Sequence, residues 1–332
     1  MLSGCSSANE FNLQELFSDY QGQSAPGAAV MVIRDGKTVV TETYGMADLE
    51  RGIPVKPSTN FRLASVSKQF TAMCIMILEE RGKLSYETRL REIFPQFPEY
   101  ADKVTIRQLL QHTSGLAAYE SLLPDTLTRQ VSDADVLALI ASADSLYFQP
   151  GSEYRYNNSG YAILAMIVEK ISGQSFADFL GENIFKPLGM KNSVAFQEGV
   201  STVANRAFGY TIREDSVSFS DQSRTSAVLG DGGVYSSLDD LFKWDQALYT
   251  EKLVSKKTMQ TAFEGGVGDY GFGWGIDEFH DQLRTWHTGS TRGFRTVIQR
   301  FPDEKLTVII LTNRNSGALL PLADRIAAHY LQ

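Results

Sequence analysis

Ser65-Val66-Ser67-Lys68 puts a hydroxyl and an amine three residues apart at the start of an amphipathic run. Side chains at i and i+3 lie on one face of a helix, one above the other. A serine hydroxyl is a poor nucleophile until a neighbouring base takes its proton, and an amine can be that base. Val66, Phe70, Met73, Cys74 and Ile77 recur at spacings of three and four, which predicts a half-buried helix over about 66–81. Ser65 would then stand at the helix start, where free N–H groups and the positive dipole end favour a developing oxyanion. The same dipole disfavours a cation at Lys68, and burial against Phe70 and its neighbours would lower the amine's pKa further. By itself a Ser-x-x-Lys pair is weak, because four-residue patterns recur by chance.

Two further groups strengthen it. Tyr156-Asn157-Asn158 follows the turn Pro150-Gly151, and His287-Thr288-Gly289 lies in an alternating, strand-like stretch. A tyrosine beside an ammonium can have its pKa lowered and can pass protons between nucleophile and leaving group. Gly289 has no side chain, so a substrate backbone could approach closely and pair with that strand. Competing patterns fail. No Gly-x-Ser-x-Gly elbow is present, and Gly173-Gln174-Ser175-Phe176-Ala177 reads as a helix cap. Gly266-Val267-Gly268-Asp269-Tyr270-Gly271 has no βαβ unit around it and reads as a turn, with Phe272–Ile276 alternating like a strand after it. His112 reads as a structural hydrogen-bonding residue, and His280 and His329 lack the spacing of a metal site. No cofactor and no metal are expected.

Taken in order, these elements resemble the penicillin-binding-protein-like serine hydrolases, in particular the class C β-lactamase, D-alanyl-D-alanine carboxypeptidase and family VIII carboxylesterase branch. The resemblance is carried by the stretches 61–72 and 105–116, by Pro150-Gly151 ahead of Tyr156-x-Asn158, by Gly230-Asp231-Gly232-Gly233 and by His287–Arg295. It runs from about Ala25 to the C-terminus. It implies Ser65, Lys68 and Tyr156 as catalytic residues, with Asn158 bonding Lys68 and the substrate amide. It also implies an oxyanion hole from the N–H groups of Ser65 and Ser290, and Thr288 and Ser290 contacting a substrate carboxylate. Many relatives carry lysine where this chain has His287, and histidine, with a pKa near ~6.5, is mostly neutral at pH 7. The expected function is therefore hydrolysis of a D-amino-acid peptide or an ester through a Ser65 acyl-enzyme. The alternatives are a β-lactamase and a penicillin- or peptidoglycan-binding sensor without efficient turnover.

Composition agrees with an enzyme acting on a small molecule or peptide. The 332 residues are 43% hydrophobic, enough for a large core. A net charge of −8 argues against nucleic acid as a partner. No apolar run approaches the ~20 residues of a membrane helix. Cys74 falls on the apolar face of the Ser65 helix and reads as a small buried hydrophobe.

Strand patterns at 27–33 and 38–44, joined by Asp35-Gly36, predict a hairpin, and 286–290, 295–301 and 305–312 predict three more strands. Helices are signalled by Thr105 and Gln108, by Ser175, by Ser237 and over 317–330. The expected fold is α/β of the α+β type: an antiparallel sheet built from both chain ends, flanking helices and an inserted helical subdomain. Residues 11–332 form one domain on this reading, its α/β part 11–65 and 265–332 and its helical part 66–264. Residues 1–10 form a tether. Within it, Leu2-Ser3-Gly4-Cys5 matches the end of a bacterial lipoprotein signal, although no charged and apolar segments precede it. A truncated export signal, lipid attachment at Cys5 and a periplasmic or extracellular location are expected, with a cytoplasmic location as the alternative.

Overall fold

The computed structural model describes residues 11–214 and 216–332; the lipidation reading of Cys5 falls outside them. Its centre is a six-stranded antiparallel sheet in the order Gly275–Phe279, Gln282–Thr291, Phe294–Phe301, Leu306–Thr312, Ala28–Arg34, Lys37–Tyr44. The expected closure of one sheet by both chain ends is what the strands do: Ala28 pairs with Thr312 and Arg34 with Leu306. Asp35 and Gly36, both at positive φ (49° and 72°), make the tight turn of the first hairpin.

The strand Ala28–Arg34 is buried on both faces, which is why it reads as a continuous apolar run. Ala29, Met31 and Ile33 face the large core under the helices, while Ala28, Val30 and Val32 face the C-terminal helix Leu319–Tyr330. Along the chain, the helices Lys68–Glu80, Asn158–Ser172 and Leu238–Ala247 come between the N-terminal and C-terminal strands of the sheet. Lys68–Glu80 continues a 3₁₀ turn without a side-chain cap, whereas Asn157 and Ser237 cap the other two and similar caps start shorter helices. Thr105 and Gln108 form the reciprocal box, and Ser175 and Ser237 accept the N–H of Asp178 and Asp240.

Two departures from the expected pattern have physical causes. Phe272–Trp274 is not strand; the strand begins at Gly275. Gly273 sits at φ +81°, and a Cβ there would lie 2.8 Å from both the Lys68 carbonyl oxygen and Gln69 Cα. The loop is therefore pressed onto the start of the Lys68–Glu80 helix, with Phe272 and Trp274 buried beside it. The stretch 66–264, with the residues just before it, also holds strands too short for any periodicity to show. Phe61–Arg62 and Val194–Ala195 flank Val234–Ser236 in one small sheet, and Tyr210–Arg213 pairs with Ser216–Phe219 in a hairpin.

Candidate active site

Ser65 does not open an α-helix directly. It lies in a 3₁₀ turn, Ala64–Ser67, and the α-helix proper starts at Lys68. Ala64 adopts φ +50°, a conformation costing a non-glycine residue about 1–3 kcal/mol. That kink turns the chain out of the strand Phe61–Arg62 and presents Ser65 at the floor of a cleft. Ser65, Tyr156, Asn158, His287, Thr288 and Ser290 all line this cavity of about 430 Å³, walled also by Tyr154, Tyr270 and Trp286. A larger hollow of about 660 Å³ near Ile53 and Phe196 pairs no nucleophile with a base, so chemistry and not size selects the cleft.

Lys68 lies fully buried beneath it. Its Nζ donates to Asn158 Oδ1 at 2.7 Å and to the Asp231 carbonyl oxygen at 2.8 Å, and it stands 3.3 Å from Ser65 Oγ. Asn158 Nδ2 donates to Glu120 Oε1 at 2.6 Å, which fixes the orientation of that amide. Of the three groups on Nζ, only the Ser65 hydroxyl can itself donate. An ammonium donates to all three; on losing a proton the amine keeps two N–H groups for Asn158 and the Asp231 carbonyl and turns its lone pair to Ser65, whose hydroxyl then donates. Burial brings Lys68 down to about 8, against the opposing pull of Asp231 and Glu120. The rings that cover it are Tyr156 and Tyr161, with centroids 4.9 and 5.4 Å from Nζ. Phe70 packs instead on Phe185 and Trp244.

Tyr156 departs from the expected downward shift. Its ring is 39% exposed in the open cleft, yet its hydroxyl end is deep enough that burial pushes the pKa up, and the hydrogen bond with Ser65 only partly offsets this. It is a phenol, not a phenolate, across the physiological range. His112 packs against it at 4.3 Å between ring centroids, and its Nδ1 accepts the Asn157 N–H at 3.1 Å. Burial first, and then the charge of Lys68, hold His112 well below its ordinary value. A neutral imidazole with its proton on Nε2 therefore positions the Tyr156-Asn157-Asn158 segment. Asn157 and Ser159 tie the same segment to the carbonyls of Leu116 and Ala117.

His287 is also buried and neutral. Its Nδ1 stands 2.7 Å from the Thr288 carbonyl, an acceptor, so that nitrogen carries the proton and Nε2 accepts from the Tyr270 hydroxyl at 2.8 Å. Burial, then Lys68, lower its pKa to about 3. Both ring nitrogens are engaged within the protein, and the ring supports Tyr270 in the cleft wall. On the same strand Thr288 is half-buried and Ser290 exposed, so these two face the cleft by the two-residue alternation. Gly289 faces the other way. A Cβ on it would lie 2.1 Å from both the Leu63 carbonyl oxygen and Thr296 Oγ1 and 3.2 Å from Ala64 Cβ. What approaches this glycine is the backbone leading to Ser65, not a substrate. Gly289→Ala should therefore lower stability by about 1–3 kcal/mol, as overpacking does, and lower kcat by displacing Ser65. A urea midpoint and kcat both equal to those of the parent would refute that contact.

A model of the Beta-lactamase family matches residues 13–332. The chain belongs to this family of penicillin-binding-protein-like serine hydrolases. Penicillin-binding protein 4* of Bacillus subtilis is 34% identical over 95% of this chain and 75% of its own length. A D-aminopeptidase of Cereibacter sphaeroides is 31% identical over 91% of this chain, which spans only 60% of that protein. The structure of a penicillin binding protein from Bacillus halodurans superposes with a TM-score of 0.79 at 28% identity, covering 97% of this chain and 99% of that one.

Sequence reasoning passed over one carboxylate of this β-lactamase-family site, Glu120, and gave no role to a second, Asp231. Glu120 lies beside Ser65 and Asn158, and Asp231 lies beneath, bonded to the Tyr119 hydroxyl at 3.0 Å. Burial raises Asp231 to about 6, against the pull of Lys68. Its backbone is pinned where Asp133 accepts the N–H groups of Leu229 and Gly230 and Thr71 donates to the Gly230 carbonyl. Asp231-Gly232-Gly233, part of the run that carries the resemblance, thus also supplies the carbonyl that holds Lys68. The Gly230-Asp231-Gly232-Gly233 run was a signal for this, but its partner Asp133 lies far away in sequence.

Proposed function

We propose that this chain is a serine hydrolase that cleaves D-amino-acid peptides or amides through an acyl-enzyme on Ser65. The observation that carries the reading is the buried Lys68 amine, held by Asn158 and the Asp231 carbonyl so that, once its proton is lost, the lone pair is left for Ser65. Ser65 Oγ bonds to the substrate carbonyl carbon as its proton passes to Lys68. Tyr156, kept protonated by burial, gives its proton to the departing amine and is reprotonated from Lys68. Water then repeats the sequence in reverse, releasing the acid and restoring Ser65. The N–H groups of Ser65 and Ser290 are assigned the oxyanion. Support for a D-amino-acid substrate comes from the names of the relatives. Glu120 adds negative charge beside the nucleophile, which favours a substrate presenting an ammonium there. β-Lactamase action has less support, since His287 is neutral and turned to Tyr270. We also propose export with lipid attachment at Cys5, which metabolic lipid labelling of the full chain would test.

Rates on D-alanyl amides and peptides, p-nitrophenyl esters and a chromogenic cephalosporin test the substrate class, with the D-alanyl compounds expected to lead. Their pH dependence tests the mechanism. Below about 8 Lys68 holds a proton and cannot take another, and above it the amine is free. Tyr156, raised from its ordinary 10.0, removes no acid catalyst in that range. On a substrate without an ionisable amine, the kcat/KM profile should be a single limb rising through about pH 8 without a fall before pH 10. A bell centred near neutrality would place the proton on another group.

A further inference from the structure

The hollow of about 660 Å³ near Ile53 and Phe196 lies apart from the Ser65 cleft, and no residue lining the one lines the other. One wall is the segment from Ile53 to Thr59, and the other is the loop 196–208 that follows the strand Val194–Ala195. Direct hydrogen bonds tie the walls together. Phe208 donates its N–H to the Ala47 carbonyl at 2.8 Å, and Asn60 donates its N–H to the Asn205 carbonyl at 2.9 Å. The Asn60 side chain adds a bond from Nδ2 to the Ala204 carbonyl at 2.6 Å. The hollow is therefore preformed, and its volume falls in the range of small-molecule sites, ~300–1,000 Å³.

Its lining combines apolar surface with positive charge. Ile53 is 44% exposed, and Pro54, Phe196 and Phe208 extend the apolar floor beside it. Arg206 stacks on three rings, its guanidinium carbon 4.6 Å from the centroid of Phe196 and 5.1 Å from those of Phe208 and Tyr235. Its Nη2 is spent on Asp221 and the Tyr235 hydroxyl. Nε is buried without a partner, and Nη1 makes no hydrogen bond among the described residues. Lys56 is exposed and enters no salt bridge among the described residues. Arg51, also in the lining, is paired with Asp48. Against these cations the described lining sets one carboxylate, the exposed Glu198. An excess of positive charge over apolar surface is out of keeping with a chain of net charge −8.

We infer that this hollow is a second ligand site, for a small amphipathic anion whose charged head is held by Lys56 and Arg206 and whose apolar body lies on Ile53, Pro54, Phe196 and Phe208. Such a ligand gives the open Nη1 and the free ammonium an acceptor while it covers apolar surface. Arg206 is already fixed by its ring stacks and by Asp221, so little ordering is lost when the anion binds. A neutral apolar ligand would leave both cations without a counter-charge, and a cation would be repelled by them. The site stands independently of the chemistry at Ser65, since it shares no wall with the cleft.

Octanoate is the probe, titrated calorimetrically into the full chain beside octanamide, which has the same body without the charge. Octanoate should bind roughly ten-fold or more tightly, the scale of a charge-assisted hydrogen bond. That advantage should shrink with salt. Shortening the chain toward butanoate should weaken binding by roughly three- to four-fold for each methylene removed. Lys56→Gln should bring octanoate to within about three-fold of octanamide. Ile53→Ser should weaken both probes alike, and Glu198→Gln should tighten octanoate alone. All three positions are exposed, so these variants keep the fold, whereas Arg206→Gln would also break the Asp221 contact. Thr288→Ala, in the Ser65 cleft, and Arg292→Gln, at the turn beyond it, should leave the affinity unchanged. Equal affinity for octanoate and octanamide overturns the site. So does an affinity that ignores the substitutions at Lys56, Ile53 and Glu198, and so does a loss confined to Thr288→Ala or Arg292→Gln, which would put the anion beside the cleft.

Discussion

Ser65→Ala should lower kcat on every substrate turned over by roughly 10⁴-fold or more, the scale for a nucleophile acting within a catalytic unit. Fold stability should change little, because the Ser65 side chain is part-exposed and bonds only within the cleft, to Lys68 at 3.3 Å and to the Tyr156 hydroxyl. Surface substitutions without larger features typically stay within about 0.5 kcal/mol. Loss of activity with an unchanged melting temperature therefore separates chemistry from unfolding. Exposure of the parent protein to an activated ester should leave an adduct on the peptide containing Ser65, detectable by mass. Ser114 provides the contrast: it is 2% exposed and bonds to the Leu116 N–H, so it should stay unmodified. An alanine variant keeping most of its activity, or an adduct mapping to Ser114, would end this mechanism.

Lys68→Ala and Tyr156→Phe should each reduce kcat by ~10²- to 10⁴-fold, the usual worth of general acid–base catalysis, with smaller effects on KM. The double variant should lose less than the product of the two. The Ser65 hydroxyl lies between the Lys68 amine and the Tyr156 phenol, so one proton path serves both. Groups sharing a path are non-additive. Lys68→Ala should also alter stability, since it leaves Asn158 Oδ1 and the Asp231 carbonyl without their buried donor, at about 1–3 kcal/mol each. Tyr156→Phe removes only the hydroxyl that bonds to Ser65 and leaves no buried donor or acceptor of the fold unmatched, so it should not. Strict additivity in kcat would assign the two residues to separate steps.

Much of the architecture was legible because it is written in local patterns. The hairpin at Asp35-Gly36 follows from turn chemistry, the Thr105 and Ser175 helix starts from capping, and the terminal strands from β-branched runs. The Ser65–Lys68 pair was legible for the same reason, since three residues on a helical path must share a face. Local sequence could not show where the pressure on each group comes from. Gly289 looked like a place for substrate, but the strand packs against Leu63 and Ala64, 225 and more positions away in the chain. Tyr156 was expected to shift down beside an ammonium and shifts up, because desolvation depends on everything folded around the hydroxyl. Likewise Phe272–Trp274 alternates like a strand and is bent into a loop by its contact with Lys68 and Gln69. Periodicity, capping and turn residues act over a few bonds and are properties of the chain alone. Burial, unmatched charge and the backbone atoms that leave no room for a Cβ are sums over residues brought together from all parts of the sequence, so only the tertiary structure decides them.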